Sequence, residues 1–195
     1  MKVKFLLWLM STRFYRFLLK YVIPEITILV APGPNWNMKK KLLDSMLPGD
    51  FLVSKSSFHL TNWLIGGDFS HAAIVLDKDV IAEMKANDFD IATVKEFCKG
   101  ATRVALLRIN NIPEGYGLEM AAKSMDFSES KYDVEFKMGP EALFCSELCW
   151  ASDFKGLMQA DLTDLISVGT KYISPDGVYK AKNVEVVFEW QDTFF

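Results

Sequence analysis

Two histidines and three cysteines bound the proton-transfer and nucleophilic chemistry open to this chain. His59 stands between Phe58 and Leu60 and reads as a partly buried or rim residue. His71 is better placed: the break Gly66-Gly67-Asp68-Phe69-Ser70 precedes it and the apolar run Ala72 to Leu76 follows. The loop leaves its ring accessible and the strand fixes its backbone, which is what a general base needs. If residues 71 to 76 pair with residues 80 to 84 across the turn 77 to 79, Glu83 falls opposite or diagonal to the start of the first strand. A carboxylate there would orient the imidazole and stabilise its protonated form.

Cys145, in Leu143-Phe144-Cys145-Ser146-Glu147-Leu148, is the candidate nucleophile. In the first turn of a helix a thiol lies in the field of unpaired N–H groups, which favours the thiolate, and the same groups can receive an oxyanion. On residue type alone, a cysteine between Phe144 and Leu148 also reads as a small buried hydrophobe. Cys149, one helical turn on, is expected in the core, and Cys98 has no partner in the pattern. Cys145 and Cys149 without a second clustered pair do not make a metal motif, so neither a metal nor an organic cofactor is expected. Ser70 and Ser146 adjoin the candidate base and nucleophile and are expected at the substrate, but neither sits in a Gly-x-Ser-x-Gly elbow.

The elements that must position these residues follow from punctuation and periodicity. Strands are expected at 26 to 30, 51 to 54, 71 to 76, 80 to 84, 103 to 109 and 184 to 190; helices are expected at 39 to 46, at 114 to 128 and from Cys145 toward Phe154. Asp88 to Asp90 reads as solvated surface. The pattern has no internal repeat and belongs to an α+β domain. With 195 residues, half of them apolar, one sizeable core can close. Three cysteines are too few for a disulfide framework and favour a reducing compartment.

A net charge of −3 argues against nucleic acid as partner, but it hides an asymmetry. Residues 1–43 hold eight basic side chains and one acid, and the remainder 14 basic and 24 acidic. Arg13, Arg16 and Lys20 form one stripe of a helical Met1 to Ile23, beside Phe14, Phe17, Leu18 and Tyr21. That segment is too interrupted to span a bilayer or to serve as a good signal peptide; it reads either as a helix packed on the core with its three cations snorkelling to water or as one lying on an anionic membrane surface. The division expected is a basic, hydrophobic extension over 1–41 and a folded domain over 42–195, in the cytoplasm or at the membrane periphery.

Five motifs in order carry a resemblance: Leu47-Pro48-Gly49-Asp50, Gly67 to Val75, Val80-Ile81-Ala82-Glu83, Lys131-Tyr132-Asp133 and Phe144 to Leu148, with Ser174-Pro175-Asp176 beyond them. Together they resemble the YiiX/YebB-like branch of the NlpC/P60 superfamily, circularly permuted papain-fold cysteine hydrolases in which the His strand precedes the Cys helix. The resemblance implies a permuted papain-like α+β fold, with an antiparallel sheet or small barrel packed against the Cys-bearing helix. It implies Cys145 as nucleophile, His71 as base and Glu83 as third residue, and places Tyr132 and Asp133 near the cleft. The substrate expected is an amide or ester in a peptide or lipid-like molecule, cleaved or transferred as an acyl group. Relatives more often read Glu-Ala where this chain has Glu83-Met84, and a one-residue slip would turn Glu83 to the other face of the sheet. The contrasting expectation is an interaction or assembly protein that keeps the fold with an idle or ligand-binding cleft.

Overall fold

The computed structural model describes residue 12 and residues 33–56, 67–85, 88–133, 136–139, 142–164 and 171–192. The expected segments at 1–23 and 26–30, and His59, lie outside them. Among the described residues the main sheet joins β1 (Phe51–Ser56), β2 (His71–Asp77), β3 (Val80–Lys85), β4 (Asp88–Thr93), β5 (Ala101–Ile109) and β10 (Val184–Gln191). Its order is β10-β5-β1-β2-β3-β4 and every neighbouring pair is antiparallel.

Alternating residues divide the core in two, as strand geometry requires. Phe51, Val53, Ala72, Ile74, Ala82, Met84, Ala105 and Leu107 face one cluster. Leu52, Ala73, Val75, Ile81, Val104 and Leu106 face the other. The first is covered by α3 (Tyr116–Met125), α4 (Cys145–Ser152) and α5 (Pro175–Tyr179), through side chains such as Met120, Leu148 and Val178. The second is covered by α1 (Trp36–Ser45) and α2 (Val94–Phe97), through Leu42, Val94 and Phe97. Because both faces are covered, the first half of β1, Phe51 to Val53, and the middle of β2 read as unbroken apolar runs. α1 runs across the boundary expected at residue 41 and buries Leu42. Short pairs complete the framework: β6 (Lys131–Tyr132) is parallel to β7 (Ala142–Leu143), and β8 (Thr163–Asp164) is antiparallel to β9 (Lys171–Tyr172).

The stretch from Asp88 departs from expectation, since it forms edge strand β4 rather than plain surface. Only Ala92 is fully buried and Phe89 packs partly buried on the first cluster, while Asp88 accepts from Lys131 Nζ at 2.8 Å and from the Tyr132 amide at 3.0 Å. Charges on such an edge discourage further strand pairing, which is why the segment does not read as a strand.

The β2–β3 hairpin turns on Lys78 and Asp79, with Asp77 opposite Val80 and Asp79 left-handed at φ 61°. The register then shifts between Val75 and Asp77, so that Leu76 bulges and Val75 meets Ile81. Downstream pairing puts Ala73 opposite Glu83, and Glu83 therefore shares a strand face with Ala73 and His71.

Beyond this hairpin, Asp50 is buried at the start of β1 and accepts two bonds at 2.7 Å from Arg108 of β5, whose guanidinium also donates to Ser45 O at 2.9 Å. The pair locks α1, β1 and β5 at one corner. Replacing Arg108 by Leu leaves the Asp50 carboxylate buried without its cation, and the expected loss is about 3 kcal/mol in urea unfolding. A loss within 0.5 kcal/mol, roughly the range for an ordinary surface substitution, would show that the pair is not needed.

Candidate active site

Cys145 is the first residue of α4, and the N-cap Phe144 offers no side-chain cap. The first intrahelical bond belongs to Leu148 N, which donates to Phe144 O at 3.0 Å. The preceding amides of this turn have no partner within the helix and can serve an anion. The helix lies on β2 and β3. Its placement brings the thiol to the start of β2, where His71 and the backbone of Ala72 and Ser146 act on its ionisation.

His71 joins the two sides of the sheet. By strand parity it belongs with the second cluster, and its ring stacks on Phe97 at 5.4 Å. Being terminal in β2, it also reaches Cys145, which packs in the first cluster. His71 Nε2 and Glu83 Oε2 are 2.5 Å apart, which leaves Nδ1 as the ring nitrogen available to the thiol. The His71 side chain is 25% exposed while Cys145 is 2% and Glu83 0% exposed, so the ring is the member of the trio open to solvent.

The charges sustain one another. Burial opposes the Cys145 thiolate, but the hydrogen bond and charge of His71, with the backbone of Ala72 and Ser146, hold its pKa below the usual thiol range. Burial likewise opposes the imidazolium, and the bonds to Cys145 and Glu83 outweigh it, raising His71 to about 10. Glu83, although buried, stays below the ordinary carboxylate range because His71 and Lys85 flank it. Lys85 Nζ contacts the other carboxylate oxygen of Glu83 and lies 3.1 Å from Asp90. Lys85 completes an alternation of charges that the sequence reading missed; its signal was the period-two spacing from Glu83.

Other expected residues occupy supporting positions. Ser146 is buried and its hydroxyl donates to Ile173 O at 2.8 Å. Ser70 is buried beside His71, its amide donating to Ser54 O at 2.9 Å. Tyr132 lies in β6 and packs against the first cluster, while Asp133 accepts from the Lys137 amide at 2.5 Å and donates its own amide to Leu143 O. Both flank the approach to α4. Glu147, not singled out from sequence, is buried two residues after Cys145 and accepts from the Gly139 amide at 2.8 Å. Burial pushes its carboxyl up to about 7. Cys149 and Cys98 are buried thiols, with burial pushing the first well above the usual range and the second up to about 12.

A family model described as permuted papain-like amidase enzyme, YaeF/YiiX, C92 family, matches residues 45–188. The crystal structure of metalloprotein yiiX from Escherichia coli O157:H7 is similar in fold, with a TM-score of 0.64 at 15% identity, covering 75% of this chain and 99% of that one. No curated protein matches the chain. Among the described residues no group of three or more His, Cys, Asp or Glu is arranged to hold a metal ion.

The paired shifts of Cys145 and His71 define a pH window. The thiolate persists down to its lowered pKa, and the imidazolium persists up to about 10. Alkylation of Cys145 by iodoacetamide is expected to start below the usual thiol range of about 8.5 and then stay level as pH rises. His71→Ala is expected to move the onset up to or beyond that range; an unchanged onset would refute the pairing.

Proposed function

The chain belongs to the permuted papain-like amidase family and is a cysteine hydrolase of that class, and from this we propose that it cleaves an amide or ester through a Cys145-His71-Glu83 triad. The observation that carries the reading is the line from buried Glu83, 2.5 Å from His71 Nε2, through the His71 ring to a buried thiol in the first turn of α4 with which that ring shares its charge. Cys145 Sγ attacks the carbonyl carbon and forms the C–S bond, and the oxyanion is met by amides of the helix start that no carbonyl of the helix takes. The His71 imidazolium gives its proton to the departing amine or alcohol as the scissile bond breaks. Water then attacks the thioester, His71 takes its proton, and C–S cleavage returns the thiolate. Glu83 holds the ring by its other nitrogen throughout, and Lys85 holds Glu83.

A peptide or lipid-linked amide of the cell envelope is the substrate class we favour. The support is the basic, apolar composition of residues 1–23, which suits contact with an anionic bilayer. No helix among the described residues is long and apolar enough to cross a membrane.

Two measurements test these readings. With 4-nitrophenyl acetate, the wild type should release a burst of about one equivalent of nitrophenolate and carry an acetyl group on Cys145 by mass spectrometry. Cys145→Ala should abolish both, whereas Cys98→Ala and Cys149→Ala should keep them; a burst that survives loss of Cys145 would end the triad reading. In flotation with phosphatidylcholine vesicles containing phosphatidylserine, the full chain should rise and a triple Arg13→Glu, Arg16→Glu, Lys20→Glu variant should not. Equal recovery would remove the membrane contact.

A further inference from the structure

Cys145 and His71 lie 74 residues apart in sequence, and one short segment is bonded to the neighbours of both. At its start, Ile173 O accepts the hydroxyl of Ser146, the residue after Cys145. Three residues on, the Asp176 carboxylate accepts the amides of Asp68 and Phe69, which immediately precede Ser70 and His71. Its Oδ1 takes Phe69 N at 2.9 Å and Asp68 N at 3.1 Å, with Oδ2 also 3.1 Å from Asp68 N.

The approach is built into the loop. Gly67 is left-handed at φ 107°, and a Cβ there would lie 2.3 Å from Asp176 Oδ2, so a side chain would push the carboxylate away. The segment is itself anchored: Ser174 caps α5 by accepting Gly177 N at 3.0 Å, and Lys180 Nζ lies 3.3 Å from Asp176 Oδ2. Phe69 is pinned from the other side, its ring 4.7 Å from Tyr179 and beneath the Arg103 guanidinium at 4.6 Å.

We propose that Asp176 is a positioning residue, which fixes the His71 loop to the same segment that holds Ser146 and so sets the His71 ring against Cys145. The inference rests on the reading of Cys145 and His71 as the reacting pair. Asp176 does not touch that pair; it acts through two backbone amides. Loss of those bonds frees the loop that ends in His71 and weakens the contact that keeps Cys145 ionised.

Two substitutions separate geometry from charge. Asp176→Ala removes the acceptors. Asp176→Asn can keep a carbonyl oxygen at the Oδ1 position, where both amides bond, without the charge. The measurement is the pH dependence of Cys145 alkylation by iodoacetamide in the full chain, with thermal melting followed by circular dichroism as the folding control. Asp176→Ala is expected to move the onset to higher pH, lowering the rate at a fixed pH on the rising limb by about tenfold for each pKa unit. Asp176→Asn is expected to stay within about twofold of wild type, since a shift of that size is a small fraction of a pKa unit.

A nearby charge acting through space predicts the opposite sign, because removing an anion stabilises the thiolate. A folded Asp176→Ala with an unchanged or lowered onset overturns the inference, and so does an Asp176→Asn that follows Asp176→Ala. If Asp176→Ala does not fold, Gly67→Ala carries the same test by displacing the carboxylate, with the same expected direction; no upward shift in it overturns the inference. A wild type in which Cys145 shows no early alkylation would instead refute the reacting pair.

Discussion

A regular hairpin turning on Lys78 and Asp79 would pair Leu76 with Ile81 and Ile74 with Glu83. Glu83 would then share the face of Ala72 and Ile74, while His71 stayed with Ala73 on the other. The bulge at Leu76 removes that mismatch by placing Val75 opposite Ile81 and Ala73 opposite Glu83. From there Glu83 lies diagonal to His71, a span that a glutamate and an imidazole cover together. The apolar pattern agrees, since the shifted register sends Ala82 and Met84 to one cluster and Ile81 to the other. One extra residue in one strand thus decides whether the carboxylate can meet the ring, and the rest of the site is arranged around that meeting.

The meeting is electrostatically expensive, because Glu83 and Cys145 are both withdrawn from water. Lys85, Glu83, His71 and Cys145 answer this by alternating in sign, so that each inner charge has an opposite charge on both sides. Such a line resists simplification: deleting one member leaves a neighbour buried and unpaired, at a cost larger than the pair was worth. Lys85, partly exposed and bonded to Asp90, lets the line end near solvent. His71, whose side chain is partly exposed, is the other opening of the line to solvent.

Much of this was legible because strands and helix starts advertise themselves. The runs at 51 to 54, 71 to 76, 103 to 109 and 184 to 190 are strands with nearly the expected ends. The helix starts at Cys145, where no residue continues the preceding extended β7 and Phe144 remains extended at ψ 170°. The bulge was not legible. Nothing about Leu76 as a residue type distinguishes a bulged leucine from a paired one, and the register is settled only by how both faces of β3 pack. Edge strand β4 was hidden for a related reason, since its alternation is between acidic and apolar side chains on a half-covered edge.

The residues that hold the site from outside were harder to read because they act on backbone rather than on side chains. Asp176 receives the amides of Asp68 and Phe69, Asp133 that of Lys137, Glu147 that of Gly139, and Ser146 donates to the carbonyl of Ile173. A backbone partner leaves no complementary residue type in the sequence, so no charge pair or spacing announces the contact. Only the polar member shows, and an isolated Asp, Glu or Ser reads as surface until its burial is known. In this fold those isolated polar residues cluster where loops approach Cys145 and His71, because loops carry the amides that sheets and helices have not already paired. The side chains proposed to react therefore stand out in the sequence by their chemistry, whereas the residues bonded to the loops around them are traced only by following where the unpaired backbone groups go.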